Sequence, residues 1–477
     1  SARRHRRDGF AEIEGGALDG YELDDADALL GHLSAEWIAS GDLSLRLAGY
    51  FNASDQNGAA QKQLDDPNPD PRRLTQDYPS TFELDNRWLA ASVDWDLTPL
   101  VKLRSSTGLQ SLEKRQTVDG DRLTEELVSV DLTGFGPANF DLLPFWDNES
   151  EVFSQEIDLL GGGTRTDWVA GVHYVRHENR NFFLEAIGPA PVSQFEEQLE
   201  NPSPETLPPF VPPLEFVEDR TVTRTDLALF GQTRVRAGDR WTLTLGGRLQ
   251  RDRATDRTTQ FWFIESREVV DDSAFTWRLG TDVRLTADHL LYGTASTGWK
   301  NGGSNPGAQI GGALDVPPFF RPEEVLAFEL GSRSTLARGR AHLNLNLFLY
   351  DYDNYQFIQE DPVPFSAGTG NIPRVEISGL EAELSWLAGD RLRIDGQLTA
   401  LDGTIESDLM TLDVADFLAS GFGRFTETGI EDRASLRVNL AGNEPPKLPV
   451  LTTSLPLPHT RPFASGATLT SRLEYIY

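Results

Sequence analysis

Residues Trp241 to Gln250 read WTLTLGGRLQ, and this stretch decides the fold. One set of alternate positions holds Trp241, Leu243, Leu245, Gly247 and Leu249. The other holds Thr242, Thr244, Gly246, Arg248 and Gln250. Successive side chains of a β-strand point to opposite faces, so the stretch reads as a strand with one apolar and one polar side. The pattern recurs along the chain. Phe275, Trp277, Leu279, Val283 and Leu285 oppose Arg278, Asp282 and Arg284. Leu343, Leu345, Leu347 and Leu349 oppose His342, Asn344 and Asn346, while Leu43, Leu45 and Leu47 oppose Ser44 and Arg46. The run from Asp226 to Arg236 is less clean, because Phe230 falls on its polar side. Soluble strands average about 5–6 residues. Many runs here reach the length of about 9–11 residues that a tilted bilayer crossing requires.

The connections sort into two kinds. Short turns join pairs of runs at Ser40 to Asp42, Thr98 to Leu100, Gly161 to Thr166, Ala237 to Arg240, Ala287 to His289, Ala337 to Gly339, Ala388 to Arg391 and Pro458 to Ser465. Long polar segments separate the pairs, at Asn52 to Asn86, Ser111 to Ser150, Asn179 to Thr221, Thr297 to Pro322, Asp353 to Arg374 and Asp402 to Pro449. Strict alternation of short and long connections is the arrangement of an outer-membrane barrel, with short periplasmic turns and long extracellular loops. A sandwich has no reason to sort its loops this way. The pattern gives about sixteen strands in a transmembrane, antiparallel, up-and-down, all-β barrel. Trp37, Trp95, Trp168, Trp241 and Trp386 lie close to short turns, and Tyr50, Phe51, Trp299, Tyr350 and Tyr352 lie at the opposite strand ends. Two aromatic belts at two lipid–water interfaces produce this spacing, and so do core aromatics near turns.

Composition sets the bounds. The 477 residues include no Cys and a single Met, Met410. A disulfide framework and a thiolate metal site are thereby excluded. The formal charge of −31 argues against nucleic acid as a partner, because phosphates need Lys and Arg. No segment supplies the roughly 20 apolar residues of a transmembrane helix. A barrel needs none, since only every second residue of its strands meets lipid.

Five further stretches carry a resemblance. Tyr292 to Asn305 reads YGTASTGWKNGGSN, and Phe320 to Arg333 reads FRPEEVLAFELGSR. Leu343 to Gln356, LNLNLFLYDYDNYQ, is similar to the strand that follows in the same family. Asn371 to Trp386 reads NIPRVEISGLEAELSW, and Gly442 to Pro449 reads GNEPPKLP. In this order they resemble the C-terminal barrel segments of TonB-dependent outer-membrane receptors. That resemblance implies part of a 22-stranded barrel around a plugged lumen. It implies that residues 1–477 are barrel only, with the plug and earliest strands before Ser1 and the last strands after Tyr477. It also implies a location in the outer membrane of a Gram-negative bacterium. The partners would be outer-membrane lipid, a scarce small-molecule ligand (a ferric siderophore, haem, cobalamin or a carbohydrate) and TonB through the missing plug. The rival reading is a passive porin-like channel. An enzyme would need a catalytic constellation, and no Gly-x-Ser-x-Gly or His-Glu-x-x-His occurs.

Ligand contact is expected from aromatic residues in the long connections, because aromatic faces suit sugars, catecholates and tetrapyrroles alike. These are Phe261, Trp262, Phe263, Phe319, Phe320 and Tyr355, with Trp299, Lys300 and Asn301 at a strand mouth. Packing between loops explains the same aromatics, and Gly302 and Gly303 permit close backbone approach. Glu329, Glu381 and Glu383 fall on polar strand faces and are expected to pair with strand arginines. His173 and His177 share a face but lack further ligands nearby, so no metal site, resident cofactor or catalytic group is expected. Asp351 and Asp353 read as a solvated loop edge, and Gly161 to Gly163 as a turn.

Overall fold

A computed structural model describes residues 1–62, 66, 68–120, 122, 142–187, 214–261, 263–305, 316–359, 368–389, 392–413, 425–426, 429–430, 437–463, 465 and 467–476. Seventeen strands belong to one sheet. In chain order they are β1 (Ala2–Arg7), β2 (Ala26–Ser40), β3 (Leu43–Asn57), β4 (Thr81–Thr98), β5 (Val101–Thr117), β6 (Leu142–Gly162), β7 (Thr166–Ile187), β8 (Leu214–Ala237) and β9 (Trp241–Gln260). They continue as β10 (Ile264–Thr286), β11 (His289–Lys300), β12 (Glu323–Leu336), β13 (Ala341–Gln359), β14 (Gly368–Leu387), β15 (Arg393–Ile405), β16 (Leu451–Pro462) and β17 (Thr468–Ile476). From β2 onward the strands form eight hairpins, and every one closes at a short turn expected from the sequence. The added strand is β1, which pairs antiparallel with β2 through Ala2↔Gly31 to Arg7↔Ala26. No helix among the described residues is long and apolar enough to cross a membrane.

The strands outrun the alternating segments. β8 has 24 residues and β10 has 23, where alternation marks about ten. Hydrogen bonding between neighbours continues as long as the backbones stay in register. Apolar–polar alternation continues only where the two faces meet different solvents. Part of each segment taken as loop is therefore an extension of the same ladder.

The chain divides into two compact units. The first holds residues 1–158, 173–227 and 252–271. Here β2 pairs with β3, β3 with β4 and β4 with β5, all antiparallel. Leu33, Trp37, Leu47, Leu89, Trp95 and Leu109 share the apolar side and are exposed, Leu33 to 76%. The polar side is tied by charge pairs such as Arg104–Asp94 at 2.8 Å and Arg220–Asp256 at 2.6 Å. His173 lies 3.7 Å from Asp226, and His177 Nε2 lies 2.9 Å from Ser150 Oγ. A small three-stranded sheet of Ala11–Ile13, Glu22–Leu23 and Arg73–Leu74 buries Ala11, Ile13, Leu23 and Leu74. The Tyr21 hydroxyl beside it lies 2.8 Å from Asn57 Oδ1 and 3.0 Å from the Ser80 carbonyl oxygen. Burial first, then the nearby Asp25 and Asp55 carboxylates, pushes its pKa up to about 12.

The second unit holds residues 159–172, 228–251 and 272–477. Here β10 to β14 pair in chain order, followed by β14–β15, β15–β16 and β16–β17, all antiparallel. Leu243, Leu245, Leu249, Phe275, Leu279, Leu285, Leu345, Leu347 and Leu349 are all exposed. The apolar faces thus do not pack against a second layer. On the polar side Phe230 is covered by the Arg248 guanidinium, 5.8 Å from its ring. Glu329, Glu381 and Glu383 do lie on that side, but their partners correct the expectation of arginine pairing. Tyr350 Oη donates to Glu329 at 2.9 Å, Asn346 Nδ2 to Glu381 at 3.3 Å and Asn344 Nδ2 to Glu383 at 3.2 Å. The register puts Asn346 opposite Glu381 and Asn344 opposite Glu383, so an amide stands where an arginine was sought.

The turn-side tryptophans are not core residues. Trp37, Trp95, Trp168, Trp241 and Trp386 are all exposed, Trp37 to 65%. The opposite belt needs correction. Phe51 and Trp299 fall in the apolar register of their strands, but Tyr50, Tyr350 and Tyr352 fall one residue out of it, on the polar side. A one-residue offset moves a side chain through the sheet.

Candidate functional site

Four chain segments of the second unit converge at the long-connection ends of β11 to β14. Strand β11 ends at Lys300, and Gly303–Ser304 then pairs with Phe319–Phe320. Any Cβ on Gly303 would run into the Phe320 ring, so the absence of a side chain there makes room for the ring. Three side-chain amides wire the segments together. Gln356 Nε2 donates to the carbonyls of Asn301 at 2.7 Å and Arg321 at 3.1 Å, and its backbone N–H donates to Glu323 Oε2 at 2.6 Å. Asn371 accepts from the Arg321 N–H at 2.7 Å and donates to the carbonyls of Arg321 at 3.1 Å and Asn354 at 2.8 Å. Asn305 donates to the carbonyls of Pro317 and Thr369, each at 2.8 Å, and accepts from the Thr369 N–H at 2.9 Å. Irregular backbone leaves N–H and C=O groups unpaired, and these amides supply the missing partners.

Below this knot runs a column of rings. Phe348 stacks on Tyr350 at 4.8 Å, Tyr350 meets Tyr352 edge-on at 6.5 Å, and Tyr352 meets Tyr355 edge-on at 5.4 Å. The even-numbered series passes to Tyr355 because Asn354 takes a left-handed conformation, with φ of 53°. Asn tolerates that conformation better than bulkier residues. The column packs on Ile372, Val375, Ile377 and Ile405, and Leu409, Leu440 and Leu448 join it.

The expected contact residues accordingly divide. Asn301, Phe320 and Tyr355 are brought together, but as structural parts: a backbone acceptor, a ring on glycine and a member of the column. Phe319, exposed to 45%, Lys300 and the adjoining Arg321 are presented to solvent from the same knot. Trp299 lies opposite Glu324 in the apolar register. Phe261 and Phe263 belong to the first unit. Phe261 sits in a turn with φ of 48°, its N–H bonded to the Val217 carbonyl at 2.9 Å, and Phe263 is 76% exposed. Trp262 lies outside the described residues. Asp351 holds Arg374 through two bonds of 3.0 and 2.7 Å. Sequence reading assigned no role to Asn305, Gln356 or Asn371. A signal was present, since Asn305 closes one family-like block, Gln356 another, and Asn371 opens a third.

A family model described as "TonB dependent receptor-like, beta-barrel" matches residues 20–475. The chain belongs to that family. Structures similar to this TonB-dependent receptor chain include the ferric yersiniabactin uptake receptor FyuA from Yersinia pestis, at 15% identity and a TM-score of 0.68. That match covers 99% of this chain and 62% of FyuA, so the chain spans less than two thirds of the length of that receptor. The siderophore receptor PiuA from Acinetobacter baumannii matches at 14% identity and a TM-score of 0.62, covering 100% of this chain and 69% of PiuA. BauA, the ferric preacinetobactin receptor from the same organism, matches at 15% identity and 0.61, covering 100% and 64%. Identities this low establish the shared fold. The passive-channel reading finds no support in family or neighbours.

Proposed function

We propose that this chain is the barrel portion of an outer-membrane receptor of a Gram-negative bacterium, working in TonB-energised uptake of a scarce ligand, with ferric siderophores the leading class. The observation that carries the reading is the exposed apolar face that the strands of each unit present, on strands long enough to span a bilayer and with tryptophans near the short turns. Family membership and the three siderophore or ferric-complex receptors among the structural neighbours support it.

The amide-wired knot is the proposed rim of the ligand site. It presents one exposed aromatic ring, Phe319, and two exposed cations, Lys300 and Arg321. Anionic ferric complexes with aromatic donor groups suit that combination through charge and ring stacking. A rigid rim keeps those groups in place without ordering cost on binding. The energised step would run through a plug that engages TonB.

The test is ferric-siderophore uptake in iron-starved cells. Radiolabelled uptake should require both this protein and TonB. F319A with K300Q and R321Q should weaken ligand binding by about tenfold, roughly the loss of one or two charge-assisted contacts. Equal uptake in cells lacking TonB would overturn the energised reading, and binding unchanged in the triple variant would overturn the rim assignment.

A further inference from the structure

In the second unit β7 with β8, β9 with β10, β11 with β12 and β13 with β14 close at their turn-side ends with one recurring backbone bond. The residue just before the first strand of each pair accepts from the end of the second strand. Arg165 accepts from Arg236 at 2.7 Å, and Arg240 from Arg284, Asp288 from Thr335 and Arg340 from Leu387, each at 2.8 Å. Neighbouring strands lie about 4.8 Å apart, so these four feet recur roughly every 10 Å and span roughly 29 Å from Arg165 to Arg340. Arg234 reaches Asp282 at 3.5 Å on the polar side, and Arg236 and Arg284 lie two residues nearer the turns on that same side. The opposite side at this level holds Trp168, Trp241, Leu285 and Trp386, all exposed.

Two of the feet set like charges opposite each other, Arg165 with Arg236 and Arg240 with Arg284. Such pairs are destabilising on a sheet. The foot bond does not require them, since in the first unit the equivalent bond runs from Asp96 to Asp42 at 2.8 Å. Asp167 holds Arg236. Arg165, Arg240, Arg284 and Arg338 are exposed and have no side-chain partner among the described residues. Arg338 projects from a turn in which Ala337, Arg338 and Gly339 are all left-handed, with φ of 53°, 58° and 85°. Left-handed non-glycine residues store strain. Over residues 163–167, 236–240, 284–288 and 335–340, six arginines stand against three aspartates, in a chain of formal charge −31. A basic edge on an acidic chain is a local field that draws an anionic partner.

We propose that this edge docks an extended acidic segment of a protein partner. Guanidiniums grip carboxylates through two parallel hydrogen bonds. A small anion covers one foot, whereas three of the four feet are basic. The arginines stand on the side away from the tryptophans, out of line with membrane phosphates. An extended chain advances by at most about 3.3–3.6 Å per residue, so every third residue meets a foot. The order of charges along the feet then sets the partner's pattern. Carboxylates fall on the first, second and fourth feet, and a cation falls on the third, where Asp288 stands. The inference rests on the proposed orientation, in which the short turns face the periplasm.

The experiment uses the protein in phosphatidylcholine nanodiscs and two fluorescein-labelled peptides of one composition, built on serine and threonine. One carries glutamate at its first, fourth and tenth positions and lysine at its seventh. The other carries lysine at its first position and glutamate at its fourth, seventh and tenth. Fluorescence anisotropy at low salt, where exposed charges are least screened, reads the binding. The first peptide should bind roughly tenfold more tightly, because the second sets a carboxylate against Asp288. R240Q/R284Q should weaken the first peptide by about tenfold, and D288N should narrow the preference between the two. The comparison of peptides needs only wild type, so it stands even if a variant folds poorly. Equal binding of the two peptides, or binding unchanged in folded R240Q/R284Q, would overturn the docking edge. Displacement of the peptide by an equal concentration of inorganic pyrophosphate would overturn it in favour of a small-anion site. Labelling of Asp239→Cys on intact cells by an impermeant maleimide would instead sink the periplasmic orientation and leave the peptide result untouched.

Discussion

Asn371 shows how much one amide holds at the knot beyond β11 to β14. It satisfies an N–H and two carbonyls on two other segments. Removing a partner from part-buried polar groups costs about 1–3 kcal/mol. N371A should therefore lower the unfolding temperature and open the 316–322 segment to protease, while leaving Trp exposure unchanged. A protease pattern identical to wild type would show that the amide wires nothing. Tyr21 gives a second residue-scale outcome. Its pKa is raised to about 12 from an ordinary value of 10.0. The folded state thus binds its proton more tightly than the unfolded chain does. The associated stability is fully present below about pH 10 and is lost as pH rises towards 12. Wild type should lose stability across that window more steeply than Y21F, followed by tyrosinate absorbance together with denaturant titration. Parallel curves would remove Tyr21 from the account.

Within a single strand, the two faces of β13 should behave as opposites. Leu347 is 53% exposed on the apolar side, whereas Asn346 bonds to Glu381 and accepts from Tyr292 at 3.2 Å on the other. An arginine on a lipid face near the bilayer midplane costs about 2–4 kcal/mol. L347R should lose that much in a folding titration from denaturant into lipid. N346K, facing Glu381 on the polar side, should lose far less. Equal losses at the two positions would mean that the faces meet the same medium. Parity along β13 was legible in the sequence because its leucines repeat every second residue. The end of the strand was not, since hydrogen bonding carries on after the change of solvent that drives the alternation.

For the molecule as a whole, the decisive question is where the tryptophans sit. Five lie near the short turns on the apolar side and are exposed. Lipids brominated near the headgroup should quench tryptophan fluorescence more strongly than lipids brominated at the chain ends, because amphipathic indoles settle at the interface. Quenching by aqueous iodide with none from brominated lipid would place the chain in water. The formal charge of −31 does not oppose membrane insertion. Acidic residues also stand on the strand extensions beyond the apolar band, as Asp85 opposite Glu113 illustrates.

By itself the sequence determined sixteen of the seventeen strands, the eight hairpins they form, the apolar side of the clearly alternating runs and the family. All of these follow from local rules: period-two alternation, turn chemistry and short motifs in order. Only the tertiary structure decided what the motif residues do. Asn305, Gln356 and Asn371 are far apart in the chain, and their work is to complete hydrogen bonds that the irregular rim leaves open. Tertiary structure also moved Tyr350 and Tyr352 from an aromatic belt into a packed column. It gave Glu381 and Glu383 amide partners. Each of these outcomes depends on register between strands, a property of pairs of segments that no single segment encodes.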